Sequence, residues 1–177
     1  MESLKNNWLL DKKHSSLEFS VRHMMVSTVK GRFKEYEGEI TLDLDNLENS
    51  SALFSIDVSS ISTEDQDRDN HLKSPDFFDA SNNPKITFKS TKIYRDGDEV
   101  IVEGNLTIRG ITKIIKVRGQ LEGPVKDPYG KERIGYDGEA TVNRKDFDLK
   151  WNVMLEGGGL LVGDTVKINV HLELIKS

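Results

Sequence analysis

One stretch of the sequence, DQDRDNHLKSPD at residues 65–76, has the residue types of a metal site. Four acids stand where a calcium loop places its oxygen ligands: Asp65, Asp67, Asp69 and Asp76. Asn70, however, replaces the glycine that the loop needs for its sharp turn, and Lys73 puts a positive charge at the ninth position. The flanking chain also has the pattern of strands rather than of paired helices. We therefore expect no metal ion here.

The same stretch predicts a short helix at about residues 64–73. Thr63, followed by Gln66 three places later, has the spacing of a capping box, and Pro75 ends the helix. Two acid–base pairs have the i,i+4 spacing that favours a helix, Glu64 with Arg68 and Asp69 with Lys73. So short a helix is marginal alone. Burying Phe77 and Phe78, which would contribute about 3–6 kcal/mol, is expected to pin it over another element.

Other catalytic patterns are incomplete. Ser27–Lys30 matches S-x-x-K without the partner motifs of that enzyme class, and Asp164 stands where a phosphate loop would have its lysine. Among the four histidines, His23 alone continues an apolar row, Leu17–Phe19–Val21. A structural histidine or a polar contact at a cavity mouth both fit His23. We therefore expect no catalytic residue, and His23 is the best candidate if the protein is an enzyme.

Composition excludes several classes of protein. The 177 residues carry a net charge of -5, which argues against nucleic-acid binding. The absence of cysteine excludes disulfides and thiolate chemistry. Neither a membrane-spanning run nor the apolar segment of a signal peptide is evident, so we expect a cytoplasmic protein without a membrane span. The length predicts a single domain over residues 1–177, and no cofactor is indicated.

Period-two alternation covers most of the chain and predicts an all-β fold. The carboxyl end is the clearest case, since alternate residues from Val166 to Leu174 are apolar and those between them are polar. Asp96-Gly97 predicts a hairpin with a type I′ turn. About eight strands follow one another without helical crossovers, so the sheet is expected to be antiparallel and closed as a barrel.

A closed barrel of eight strands can be filled by side chains or can hold one ligand. Gly38, Gly104 and Gly138 stand in apolar rows where a packed core would have larger residues, which favours a cavity. Glycine at such positions also marks bulges and barrel corners, and this alternative stays open.

Several short motifs, in this order and spacing, resemble the YceI-like family of lipocalin-like, polyisoprenoid-binding proteins. They are SLEFSVRHMMVSTVKGRF (16–33), EDQDRDNHLKSPDFFDA (64–80), ITFKST (86–91), GNLTIRGITK (104–113), NRKDFDLKW (143–151) and GGGLLVGDTVKI (157–168). The resemblance implies an extended antiparallel barrel with an apolar cavity and a helix closing one end. It also implies binding of an isoprenoid or similar amphiphilic chain, and often a homodimer. Asp148 departs from the family pattern, which usually has glycine there.

We therefore predict that inward-facing residues contact the lipid chain: Phe19, Val21, Ile40, Leu42, Phe54, Ile56, Val58, Leu106, Ile108, Val142, Val166 and Val170. Candidate contacts for its polar head are His23, Arg32, Asn143 and Arg144. A structural pair between Arg144 and Asp146 is the alternative for that arginine. Carriage, storage or sensing of the lipid would each fit, as would an enzyme acting on an amphiphile or a filled barrel that serves as a stress-related interaction module.

Overall fold

The computed structural model describes residues 6–177, so residues 1–5 of the amino end, where no leader is expected, lie outside the described residues. The strands are β1 (Asn6–Leu10), β2 (Ser16–His23), β3 (Ser27–Phe33), β4 (Tyr36–Leu42), β5 (Ser51–Asp57), β6 (Ile61–Ser62), β7 (Lys85–Asp96), β8 (Glu99–Ile108), β9 (Ile111–Lys126), β10 (Glu132–Asn143) and β11 (Val162–Lys176). One α-helix, α1 (Gln66–Lys73), is present in the described residues, with four 3₁₀ helices, η1 (Lys12–His14), η2 (Leu47–Asn49), η3 (Val58–Ser60) and η4 (Arg144–Phe147). Within the described chain, none of these helices has the length and hydrophobicity needed to cross a bilayer.

Eight antiparallel strands close the barrel, in the order β1-β4-β5-β7-β8-β9-β10-β11 and back to β1. The prediction of a closed antiparallel barrel with a short helix is confirmed. Three more strands extend the sheet, because β11 changes partner along its length. Its residues 174–176 pair with β1, whereas its residues 162–171 pair with β2, which pairs with β3 and then β6.

The partner change is organised around Glu173. Its backbone carbonyl accepts a hydrogen bond from Asp11 N–H at 2.9 Å, and its own N–H donates to Ser15 Oγ at 3.0 Å. The chain between these two contacts is η1, which carries it from β1 to β2 beside the same strand. A long β11 thereby serves both ends of the barrel.

The β7–β8 hairpin is present, but its turn differs from the prediction. Asp96 pairs with Glu99, so the two loop residues are Gly97 and Asp98. Of these, only Gly97 has a positive φ, 61°. A type I′ turn requires positive φ at both positions, and glycine at the first position is typical of type II′.

The predicted helix forms, but its hydrogen bonds differ from the predicted ones. Asp65, not Thr63, is the N-cap and accepts a hydrogen bond from Arg68 N–H at 3.1 Å. Thr63 instead donates to the buried Asp69, from its backbone N–H at 2.8 Å and its hydroxyl at 2.6 Å. Arg68 donates to Thr63 as well, so neither predicted i,i+4 pair holds the helix. Thr63 directly follows strand β6, which holds it within reach of these two side chains.

A candidate ligand cavity under an aromatic lid

A cavity of about 260 Å³ lies inside the barrel, and the surface it presents is apolar. A 150 Å³ cavity lined by leucine, isoleucine and phenylalanine is large enough to bind benzene and stays free of water. The barrel cavity therefore has room for an apolar group larger than a benzene ring, and no polar partner that would hold water.

Most of the predicted lining is brought together here. Eleven of the twelve residues predicted to contact a lipid chain line the cavity: Phe19, Val21, Ile40, Leu42, Phe54, Ile56, Leu106, Ile108, Val142, Val166 and Val170. Alternation along strands identifies inward faces, which is why this part of the prediction agrees with the geometry. Whether these residues bind a ligand is a matter for the proposal below.

Val58 is the exception, since it is fully buried but does not line the cavity. Strand β5 ends at Asp57, and Val58 begins η3, where its N–H donates to Pro84 O at 3.0 Å. The alternation of β5 therefore stops one residue too early to place Val58 on the inward face.

The predicted head-group contacts are not gathered at one place, and three of the four lie outside the cavity lining. His23 ends β2 opposite Val162. Arg32 has a half-exposed side chain 3.8 Å from Glu64. Asn143 caps η4 by accepting a hydrogen bond from Lys145 N–H at 2.9 Å.

Arg144, the fourth candidate, is buried and lines the cavity. Its guanidinium donates to Gly163 O at 2.8 Å and Trp151 O at 3.0 Å, and also to Leu149 O. Burial lowers the pKa of Arg144, while Asp164, 3.9 Å away, acts in the opposite direction. The alternative pairing with Asp146 is wrong, because Arg144 instead fastens residues 149–163 across the end of the barrel.

A lid covers this end of the barrel. We define the lid as α1 together with Phe77 and Phe78. Leu72 and both phenylalanines line the cavity, in agreement with their predicted anchoring role. Phe78 packs edge-on against Phe33 at a centroid distance of 6.0 Å, and Phe77 lies 5.4 Å from Trp151. Phe33 and Trp151 come from distant segments, so no local pattern could assign them to the lid.

The inward glycines do not create the cavity. A Cβ added to Gly38 would lie 2.8 Å from the ring of Phe54, and one on Gly104 would lie 2.6 Å from the ring of Phe88. A Cβ on Gly138 would meet the ring of Tyr136 at 2.8 Å. The aromatic rings therefore lie across the glycines and fill the space that the sequence suggested was free. Gly104 also faces a register shift in β7, as the alternative reading expected.

Tyr136 is the polar group at the opposite end of the cavity. Its hydroxyl donates to Val100 O at 2.8 Å, so its hydrogen-bonding capacity is used by the barrel wall. Burial raises the pKa of Tyr136 above its ordinary value, with a smaller contribution from Glu99. The phenol therefore stays uncharged, and the cavity keeps an apolar surface.

One cluster of metal-ligating residue types occurs among residues 6–177, formed by Asp11, His14 and Glu173 outside the cavity. Their ligand atoms lie within 4.8 Å of one another. Arg133 enters the cluster and donates to Asp11 at 3.0 Å and to Asp127 at 2.9 Å. The group is therefore an ion-pair network at the end of the barrel away from the lid.

Comparison with known proteins adds a family and a set of similar folds. The model of the YceI-like domain matches residues 8–174. A UPF0312 protein of Staphylococcus epidermidis is 37% identical over 164 residues, covering 92% of this chain and 94% of that protein. The YceI protein of Campylobacter jejuni has a TM-score of 0.75 and 31% identity, covering 100% and 99% of the two chains. A polyisoprenoid binding domain from Saccharophagus degradans shares the fold at 16% identity, with a TM-score of 0.67 and coverage of 97% and 99%.

Proposed function

Because this chain belongs to the YceI-like family, we propose that it binds the apolar tail of an amphiphile, such as an isoprenoid or a long acyl chain, inside its barrel. The observation that carries the proposal is the apolar cavity of about 260 Å³ beneath the lid. The Saccharophagus degradans domain of the same fold, described as polyisoprenoid binding, is consistent with this ligand class.

The driving force is the removal of the tail from water. Each buried CH₂ group contributes roughly 0.8 kcal/mol, so a tail segment of only a few carbons gains several kcal/mol before ordering costs. A polar head would lose its hydration inside the barrel without gaining a partner, because the cavity presents no polar surface. The head group therefore remains outside, and the tail determines affinity.

The positions of the ionisable groups favour binding over catalysis. His23, the residue that an enzymatic alternative would require, lies outside the lining. Glu18, Tyr136 and Arg144 do line the cavity, but the half-exposed carboxylate of Glu18 lies 3.9 Å from His171. The hydroxyl of Tyr136 and the guanidinium of Arg144 donate to backbone carbonyls. The filled-barrel alternative is disfavoured by the cavity itself.

Two tryptophan substitutions on β5 test the proposal. Ile56 lines the cavity, whereas Leu53 on the same strand is exposed on the outer wall. We expect Ile56→Trp to fill the cavity and weaken binding of cis-parinaric acid, a fluorescent polyene fatty acid, by at least about tenfold, or 1.4 kcal/mol. Leu53→Trp should bind it as the wild type does.

Thermal unfolding of both variants shows whether the barrel remains intact. Equal affinity of the wild type and of a folded Ile56→Trp variant would refute the proposed location of the tail. A wild-type protein that takes up no parinaric acid would refute the proposed ligand class.

A further inference from the structure

Exposed apolar side chains are concentrated at one place on the surface. The described residues include eleven large hydrophobic side chains that are exposed, and six of them lie in two loops. These six are Met24, Met25, Val26, Val153, Met154 and Leu160. We call the two loops and the strand ends that flank them, residues 23–29 and 151–163, the tip. Single exposed hydrophobic residues are ordinary on a protein surface, but a contiguous group of them marks an interaction site.

The two loops form a single structure. Met24 N–H donates to Leu161 O at 2.8 Å, and His23 pairs with Val162. The sulfur of Met25 lies so close to Gly159 that a Cβ there would be 2.3 Å from it. The side chain of Met25 is nevertheless 64% exposed, and that of Met154 is 80% exposed. The tip therefore presents its methionines outward on a backbone that both loops share.

The tip is almost free of charge. Its twenty residues include one charged residue, Glu156, in a chain of which 31% of residues are charged. Arg22, directly beside the tip, donates to Met25 O at 3.0 Å and places a positive charge at its margin. An apolar surface with a cationic side chain at its edge suits an apolar phase bordered by polar groups.

The tip adjoins the lid end of the cavity. Val162 of the tip lines the cavity, as does Val21, two residues before the first segment of the tip. Trp151, the first residue of the second loop, packs against His71 and Phe77 of the lid, with centroid distances of 4.6 Å and 5.4 Å. A surface that the tip contacted would therefore face the end of the barrel where the lid lies.

We propose that the tip inserts into the boundary between head groups and acyl chains of a lipid bilayer, from which the amphiphile enters the barrel. This inference rests on the proposed function, since a bilayer is the phase that holds such tails. A second copy of the chain is the weaker choice, because a stable protein interface uses about 20–30 residues a side, whereas the tip offers only six exposed large apolar side chains. The strength of binding at a membrane interface scales with the apolar area that is buried there. Methionine side chains are flexible and adapt to irregular apolar surroundings.

Flotation with vesicles of dioleoylphosphatidylcholine tests the inference. The variant Met25→Asn, Val26→Ser, Met154→Ser removes three of the most exposed apolar side chains of the tip, with asparagine chosen because Met25 has a φ of 62°. The matched control is Ile114→Ser, Val125→Ser, Tyr129→Ser, which removes side chains that are 68%, 66% and 91% exposed elsewhere on the barrel. We expect the tip variant to lose vesicle affinity by at least about tenfold and the control to retain it.

A second readout, binding of cis-parinaric acid in vesicle-free buffer, separates this inference from the proposed function. The tip variant should bind the acid as the wild type does. Vesicle binding that is absent in the wild type, or equal in both variants, would overturn the inference. So would a tip variant whose only change is dissociation of a dimer in sedimentation velocity. Wild-type protein that binds vesicles through the tip but takes up no acid would refute the tail cavity alone.

Discussion

The two ends of the barrel are held by different forces. At the far end from the lid, Arg133 joins Asp11, Asp127 and Glu173 in a partly buried network of charges. At the lid end, aromatic rings cover the cavity, and the guanidinium of Arg144 binds backbone carbonyls. Charges therefore hold the end away from the lid, whereas apolar packing and hydrogen bonds to the backbone hold the lid end, where a ligand would enter.

This difference indicates which end of the barrel can change conformation at the lower free-energy cost. Opening the end away from the lid would break the pairing of β1 with β4 and β11, and the barrel would no longer be closed. Opening the lid would separate ring contacts and a few hydrogen bonds around α1. The residues on either side of the lid, Glu64 and Asp79, have positive φ values of 61° and 49°. Variants at each end should consequently fail in different ways.

The largest effect is expected from Arg144→Leu. This substitution removes the buried guanidinium that donates to the carbonyls of Leu149, Trp151 and Gly163, and leaves these carbonyls without a donor. Each unsatisfied buried group costs about 1–3 kcal/mol, so we expect the free energy of unfolding to fall by about 3 kcal/mol or more. Urea denaturation measures this change.

The neighbouring Lys145→Leu is the control for that experiment. Lys145 is exposed and its pair with Asp164, at 3.3 Å, is worth at most about 1 kcal/mol. If the two variants lost the same stability, Arg144 would not be the fastening of residues 149–163.

A smaller and more local effect is expected from Asp69→Ala. The buried carboxylate accepts two hydrogen bonds from Thr63, and their loss should cost about 1–3 kcal/mol. Because these bonds tether α1 to the barrel, amide hydrogen exchange should accelerate mainly in residues 66–78. Asp67→Ala removes an exposed carboxylate from the same helix and should leave exchange there nearly unchanged. Uniform acceleration throughout the barrel would show that the lid does not open as a separate unit.

The smallest effect is expected on the pH dependence of stability, through the carboxylates at the end away from the lid. The backbone N–H of Lys131, followed by Arg133, lowers the pKa of Asp127, and His14, followed by Arg133, lowers that of Asp11. Carboxylates with a folded pKa below the unfolded value of about 3.8 stabilise the protein at neutral pH, and this stabilisation is lost as pH falls through the folded pKa.

Asp127→Asn should therefore lower the melting temperature at pH 7 and narrow its difference from the wild type toward pH 3. Melting temperatures measured across this range check the prediction, with Asp98→Asn, an exposed acid in the β7–β8 turn, as control. A constant difference at all pH values would mean that the charge of Asp127 is not what stabilises this end.

The sequence was sufficient for the barrel and for most of its inner surface. Alternation in β11 and β5 identifies which residues face inward, because side chains in a strand point to opposite faces whatever the partner strand is. The lid was also predictable, since acids, a terminating proline and two adjacent phenylalanines break that alternation at residues 63–78.

The remaining features depend on contacts between distant residues. Alternation cannot show that β5 stops at Asp57, which is why Val58 was misplaced. The local spacing of Arg144 and Asp146 suggested a pair, whereas the actual partners of Arg144 include Gly163, brought near by the start of β11. Likewise, Gly38 suggested unfilled space in the barrel, but the ring of Phe54 on the neighbouring strand lies across it.

The family departure at Asp148 has a simple local outcome. Asp148 adopts φ 61° and ψ 24°, the left-handed conformation that glycine takes without strain. Its N–H still donates to Lys145 O at 3.1 Å. The turn after η4 therefore forms without the usual glycine, because aspartate is among the residues that tolerate this region.

The most direct test of the account is a crystal structure of the protein with a fatty acid that carries bromine at the end of its tail. The account predicts an anomalous peak for bromine inside the barrel, among Phe54, Ile56 and the other residues that line the cavity. A bromine peak found only on the outer surface or at the tip, with the barrel interior unchanged, would contradict it.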